Sequence, residues 1–433
     1  MRKPTCVLQS PIWTRSGYGD WALCLAKSLL RYNKFELFLI PTPWGSCSAR
    51  NINEDIQDPE GKELLTRNLK SPLTSQPDLF IQVTIPNEFS APAKYNIGMT
   101  AGIESTVPRA EWIEGLNRMN LNIVTSKHSK DIFINTVYNK KLPNGIEEEL
   151  KVEKPIEVLF WGADTKIYHK TDEKIETIEA SMSKIKEDWC FLFVGQWTSG
   201  NIQGDRKAIG WLLKTFYQTF KDMDNPPALI LKTSGAQICT MDRYECITKI
   251  HEVRDMVKTE FPNSRFPNAY LMYGELNDFE MNALYNHSKI KAHVSFTHGE
   301  GFGHPLLLAT LSGKPVIAPN WSGHLDFLNP QYTTFFNGQL NPIPDSAVNE
   351  WFVKGSQWFD VNHDEAKILM KSLYKNYDET LLAKYEKLRL ENLEKFSIQK
   401  MDEVFHNILD KCALQITTEE PLKLPPLKRI KKT

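Results

Sequence analysis

Short apolar runs alternate with amphipathic stretches along most of the chain. Residues 5–9, 35–40, 79–83, 95–99 and 121–125 are brief and apolar on both sides. That pattern predicts strands covered on both faces. Between them, residues 20–32 place Trp21, Leu23, Cys24, Leu25, Leu29 and Leu30 on a helical apolar side, and 109–118 and 129–138 are further helical stretches. The alternation resumes with strand candidates at 156–161, 191–194, 228–232, 269–272, 293–296 and 316–318. Such alternation predicts α/β layers around parallel sheets. A charged, proline-bearing break covers 139–155, with Pro143-Asn144-Gly145 as a turn signal, and it sets a boundary near Pro155. Helical patterns at 364–377, 379–394 and 400–414 close the chain and fit helices that pack back across a domain interface.

Length supports two domains. The chain has 433 residues, beyond the ~250–300 at which one core stops growing. The expected division is 1–155, 156–360, closing helices over 361–415, and a basic, proline-containing tail over 416–433. The chain is 41% hydrophobic and 24% charged with a net charge of −1. That balance is globular and argues against binding nucleic acid or membrane through bulk charge. The tail, with Lys423, Lys428, Arg429, Lys431 and Lys432, reads as a solvated terminus. The alternative is an electrostatic contact to a polyanion or membrane surface. Seven cysteines without CxxC or zinc spacing read as reduced thiols of a cytoplasmic protein. Neither a signal peptide nor an apolar run of ~18 residues is visible.

The segment that carries chemistry is His298-Gly299-Glu300-Gly301-Phe302-Gly303-His304-Pro305. It follows a strand, and Pro305 marks the start of a helix that ends at Gly313. A strand, a glycine-rich turn and a helix N-terminus present unpaired N–H groups and a positive dipole end to an anion. In a doubly wound sheet this spot lies at the carboxyl edge, where ligands bind. Gly301 and Gly303 would let a diphosphate approach the backbone. A second glycine turn, Asn320-Trp321-Ser322-Gly323-His324, follows the next strand. Tight βα packing alone also explains such glycines.

Taken together, Gly299 to Leu308, Gly313-Lys314-Pro315-Val316-Ile317-Ala318 and Trp321-Ser322-Gly323 resemble the donor-site block of the family 4 glycosyltransferases, retaining enzymes of the GT-B fold. Phe193-Val194-Gly195 followed by Arg206-Lys207 looks like that family's first donor-domain strand, loop and basic pair. Trp161-Gly162-Ala163-Asp164 resembles its interdomain segment. Ser16-Gly17-Tyr18-Gly19 looks like its N-terminal glycine-rich acceptor loop. Glu104, Val107-Pro108, Trp112, Asn117 and Ser126 look like an N-domain pattern of one branch.

The resemblance implies two Rossmann-like domains facing a central cleft, with an acceptor bound on the first and a nucleotide-diphosphate sugar on the second. It implies transfer with retention, the acceptor oxygen attacking on the face from which the nucleotide leaves. It implies no metal and no cofactor beyond the nucleotide-sugar co-substrate. Glu300 would contact the transferred sugar. Lys207 and the N–H groups of Gly301, Phe302 and Gly303 would hold the diphosphate, and Arg206 would support that site or pair with a neighbouring acid. Gly195, Ser322 and Gly323 would complete the donor site. His304 and His324, which flank the glycine turns, would contact phosphate or sugar hydroxyls there, or serve as structural histidines. Gly17, Tyr18 and Gly19 would face the acceptor. Glu104, which follows a strand end facing the cleft, would orient the acceptor hydroxyl or serve as an exposed or helix-capping acid. Two positions depart from the family pattern. Leu308 stands where a second glutamate grips the ribose, and Gln196 where a cation often follows the glycine.

Other signals carry less. Asp222-Met223-Asp224 matches D-x-D but precedes a strand, and reads as a solvated helix end. His298 reads as structural. No GxSxG or Walker loop occurs. The acceptor stays open among a glycan, a small molecule, a protein and a hydroxylated base in DNA. The DNA alternative rests on the tail and on Trp13, Tyr18, Trp21 and Trp44, aromatics able to stack on bases. A non-catalytic nucleotide-sugar or partner-binding protein of the same fold is the rival from another class.

Overall fold

The computed structural model describes residues 3–51, 58–141, 147–197, 202–235 and 238–418. The turn at Pro143-Asn144-Gly145 and the tail beyond residue 418 lie outside them. Two six-stranded parallel sheets dominate. The first contains β1 (Thr5–Ser10), β2 (Glu36–Pro41), β3 (Leu79–Val83), β4 (Tyr95–Thr100), β5 (Leu121–Val124) and, after a hairpin of β6 (Tyr138–Lys141) and β7 (Glu147–Leu150), β8 (Ile156–Val158). Its order is β2-β1-β3-β4-β5-β8. The second contains β9 (Cys190–Val194), β10 (Ala228–Lys232), β11 (Ala269–Met272), β12 (Ile290–Val294), β13 (Val316–Pro319) and β14 (Thr334–Phe336), in the order β11-β10-β9-β12-β13-β14. A second hairpin, β15 (Gly338–Pro342) and β16 (Gln357–Val361), follows.

Helices cover both faces of each sheet, which is why β3 and β4 are buried along their whole length. Each sheet has a point where the winding reverses. In the second sheet it lies between β9 and β12, so the loops that leave those two strands emerge side by side. Ligands bind at such switch points in open α/β sheets.

Ile156–Val158 pairs with β5, so a division at 155/156 cuts the first sheet. The crossing comes a few residues later, at Trp161-Gly162-Ala163. There Ala163 N–H donates to Phe396 O at 2.8 Å and Ile398 N–H donates to Ala163 O at 2.9 Å. The outward and return crossings therefore run side by side. The return leads into the last helix, Ile398–Thr418. Its Met401, Phe405, Ile408 and Leu409 are buried with Leu25 and Leu29 in the first domain's core. Arg31 holds Asp402 at 2.6 Å and Glu60 at 2.8 Å, fixing the helix there. The expected packing back across the interface is observed.

Two expected elements shift. The first helix spans Gly17–Tyr32, capped by Ser16, whose hydroxyl accepts from Gly19 N. Ser16-Gly17-Tyr18-Gly19 is therefore a cap and first helical turn, not a loop. Strand β12 ends at Val294 instead of Phe296, leaving residues 295–303 as an irregular segment. No helix among the described residues is long and apolar enough to cross a membrane.

Candidate functional site

Adjacency of the β9 and β12 loops brings Lys207 and Glu300 together. Lys207 Nζ meets Glu300 Oε1 at 2.5 Å. Arg206 reaches Glu300 Oε2 at 3.5 Å, donates to Gly299 O at 2.8 Å and approaches Glu104 of the first domain at 3.8 Å. Two acids and two bases thus form one cluster spanning the cleft. The segment before the helix Ile209–Phe220 is pinned by Asp205, fully buried, whose carboxylate accepts from Lys207 N at 3.2 Å and Ile209 N at 2.9 Å. Gly195 lies beside it: a Cβ there would stand 3.8 Å from Lys207 Cδ.

The second glycine turn ties down the first. Glu300 N–H donates to Ser322 Oγ at 3.0 Å, and Gly323 N–H donates to Glu300 O at 2.9 Å. Ser322 is held at φ 83, a conformation that costs a non-glycine residue ~1–3 kcal/mol. Its hydroxyl lies 3.4 Å from His324 Nδ1, and His324 Nε2 lies 2.7 Å from Pro319 O. A carbonyl only accepts, so Nε2 carries the proton and Nδ1 accepts. His324 is fully buried. The expected contact of His324 with phosphate or sugar is corrected to a structural one, and Ser322 and Gly323 act on Glu300's backbone.

Gly303 opens the helix His304–Thr310 at φ 90, a torsion natural to glycine. The Phe302 ring packs on Phe327 at 5.1 Å and is core. His304 lies flat on Trp161, 3.7 Å between ring centroids, and Nε2 has no partner among the described residues. Burial holds its pKa down at about 3, against a hydrogen bond to the Gly162 backbone, so the ring is neutral. Gly17 faces the same indole: a Cβ there would stand 4.0 Å from Trp161 Cζ3. Gly19 is different, since its Cβ would fall 2.2 Å from Thr14 O. Its reason is close packing. Tyr18 accepts from Ala101 N at 3.0 Å, bonds Thr100 Oγ1 at 2.9 Å and stacks on Trp44 at 4.0 Å.

Gly301 packs on the first domain. A Cβ would lie 2.1 Å from Ala101 O, and Thr125 Oγ1 and Ser129 Oγ donate to Gly301 O at 3.3 and 3.5 Å. Gly299 does likewise against Glu104 O, at 2.3 Å. These glycines permit domain contact at least as directly as ligand approach. His298 donates from Nδ1 to Phe359 O at 2.9 Å, is 2.9 Å from Asp360 and stacks on Trp358, a structural histidine as expected. Asp222 accepts from Ser264 and Arg265, and Asp224 pairs with Arg265 at 2.9 Å. The D-x-D is a turn lock. No group of three His, Cys, Asp or Glu residues among the described residues is placed to hold a metal ion.

Sequence reasoning missed His128. It follows β5, is edge-on to Trp321 at 4.7 Å, and has Nε2 unpartnered among the described residues. Burial, then the neighbouring His324, lowers its pKa to about 4. A lone histidine at a helix start carries no pattern, so only the fold brings it to the cleft.

No family model matches the chain, and no curated protein matches it in sequence. Solved structures do match in shape. Sucrose-phosphate synthase from Thermosynechococcus elongatus superposes with TM-score 0.60 at 11% identity, covering 96% of this chain and 100% of that one. A glycosyltransferase from Rickettsia africae gives 0.58 at 14%, with 97% and 100% covered. Anabaena HepE, solved in complex with UDP and glucose, gives 0.57 at 11%, with 94% and 100% covered. The chain has the GT-B fold.

Within this GT-B chain the electrostatics centre on Glu300. Burial pushes its carboxyl up, but Lys207 and then Arg206 outweigh that and hold it at about 2. Burial lowers the Lys207 ammonium below the ordinary lysine range, and Glu300 opposes it. Glu300 is therefore ionised throughout the neutral range. A depressed carboxylate contributes stability that is complete above its unfolded value and lost as pH falls through the folded one. The window here runs from 4.5 down to about 2. Urea titrations are expected to show wild-type stability falling more steeply than that of Glu300→Gln between pH 4.5 and 3. Parallel lines would remove the depressed carboxylate.

Proposed function

We propose that the chain is a glycosyltransferase of the family 4 type. It moves a sugar from a nucleotide-diphosphate sugar to an acceptor hydroxyl, with retention, without a metal and in the cytoplasm. The observation that carries this reading is the Lys207–Glu300–Arg206 cluster, placed at the switch point of the second sheet and facing the first domain through Glu104. The second domain takes the donor and the first takes the acceptor. Glu300 holds the transferred sugar's hydroxyls. Lys207 and the N–H groups of Gly301, Phe302 and Gly303 hold the diphosphate. Negative charge then develops on the leaving phosphate against fixed cations, and that phosphate takes the acceptor's proton. HepE, solved with UDP and glucose, supports the donor class.

Leu308 favours a second reading, a non-catalytic protein of the same fold. Its side chain is buried in the apolar cluster of the second domain, so the ribose grip expected of a glutamate there has no carboxylate. Gln196, the other departure, donates to Gly235 O at 2.9 Å and adds no charge. A thermal-shift panel of UDP-, GDP- and ADP-sugars with and without EDTA separates the readings. An EDTA-insensitive rise with one donor is expected. No rise with any donor would put the non-catalytic reading first.

A further inference from the structure

We propose that the chain carries a second binding site, outside the cleft, for a neutral sugar residue. The pocket lies between the hairpin β15–β16 and the starts of the helices Ile209–Phe220 and His363–Lys375, with a volume of about 590 Å³. That is within the ~300–1,000 Å³ usual for small-molecule sites. It is a half-open cavity, not a packing void.

Its walls combine two chemistries. Trp211 supplies the accessible indole, half-buried and stacked on His363 at 4.9 Å, while Trp358, 2% exposed and stacked on His298 at 4.1 Å, backs the wall behind it. Rigid aromatic faces of this kind accept the C–H face of a pyranose. Gln339, Asn341 and Asp360 supply a connected polar edge. Gln339 Nε2 donates to Asn341 Oδ1 at 3.2 Å, Asn341 Nδ2 donates to Asp360 Oδ2 at 2.7 Å, and Asp360 Oδ1 lies 2.9 Å from His298 Nδ1. Amides and a carboxylate in a row match adjacent hydroxyls, each of which both donates and accepts.

Charge narrows the ligand class. No lysine or arginine among the described residues lines the pocket, whereas the carboxylates of Asp360 and Glu365 do. Burial raises the Asp360 carboxyl, but its bonds to His298 and Asn341 prevail and lower it. Lys214, 5.8 Å from the Trp211 ring, is paired with Glu260 at 2.5 Å. A phosphate or nucleotide would meet like charge here, while a neutral polyol would not.

The pocket adjoins the cleft cluster without sharing its groups. Ala208 lines it directly after Lys207, and His298 N–H donates to Arg206 O at 2.8 Å. An occupant would rest on the loop that presents both cations. Binding is read directly, so it stands or falls apart from the glycosyl-transfer reading.

Isothermal titration of the full chain with maltose, cellobiose and lactose, and with glucose 6-phosphate as the anionic control, tests this. Saturable binding of at least one neutral disaccharide is expected, with the phosphate weaker and UDP at saturation not displacing it. Trp211→Ala is expected to weaken it by about tenfold, with circular dichroism confirming the fold. Gln339→Ala and Glu365→Lys, both at exposed positions, serve if Trp211→Ala does not fold, and are expected to act in the same direction. No saturable binding of any neutral probe, tighter binding of glucose 6-phosphate, or binding indifferent to the folded variants overturns the proposal.

Discussion

Replacing Lys207 with alanine is expected to lower turnover by about two to three powers of ten, as loss of one preorganised charge partner does elsewhere. Its Nζ is 2.5 Å from Glu300 Oε1, inside a site whose carboxylate is 8% exposed. On the proposed glycosyl-transfer reading the loss should fall on turnover more than on acceptor binding, because the ammonium would act where charge develops on the leaving phosphate. The same change strips Glu300 of its nearest cation, leaving Arg206 at 3.5 Å. An under-paired buried charge costs on the order of 3 kcal/mol, so stability falls too. The double variant Lys207→Met with Glu300→Gln separates the effects. It contains no stranded carboxylate, so urea stability recovers, which isolates the cost of the unpaired charge; its turnover stays low because Glu300 is lost as well. Turnover within about threefold of wild type in the single variant would remove Lys207 from the chemistry. Turnover that recovers with stability would assign the loss to the fold.

The sequence carried the architecture further than the site. Strand runs such as β3 and β10 are buried over nearly all their length, so their apolar pattern could be read directly. Ile156–Val158 shows the limit. Nothing in three residues says which sheet they join, and they join the first. The ends of β12 and the first helix moved because apolar residues at 295–296 and glycines at 17–19 do not report backbone hydrogen bonds. At the site, the residues that meet through sheet topology, Lys207 with Glu300, were found as separate motif fragments. What each glycine and histidine does was not legible. Gly19 faces Thr14 O, Gly301 faces Ala101 O, and His324 bonds Pro319 O. Each is a long-range or turn contact that motif position alone does not specify. Trp112 and Ser126, part of the family-like pattern, prove to be a core residue and a helix cap.

Gly301→Ala is expected to open the cleft without unfolding either domain. Gly301 is not among the residues held at positive φ, so alanine meets no torsional penalty there. Its Cβ would instead lie 2.1 Å from Ala101 O and 3.1 Å from Ala101 C, atoms of the opposite domain's backbone that cannot rotate away. Relief comes from separating the domains. That loses the bonds from Thr125 and Ser129 to Gly301 O and widens the Arg206–Glu104 approach. Overpacking of this size costs ~1–3 kcal/mol, which as a shift in the open–closed balance is about fivefold to 150-fold. Small-angle scattering should show a larger radius of gyration, and turnover should drop by a similar factor with little change in the thermal midpoint. Gly303→Ala is the internal control. It meets φ 90 and a His324 Cβ at 3.1 Å within its own domain, so it should lower the thermal midpoint and leave the scattering profile closed. An unchanged scattering profile and turnover in Gly301→Ala would show that the contact between Gly301 and Ala101 does not set the closed state.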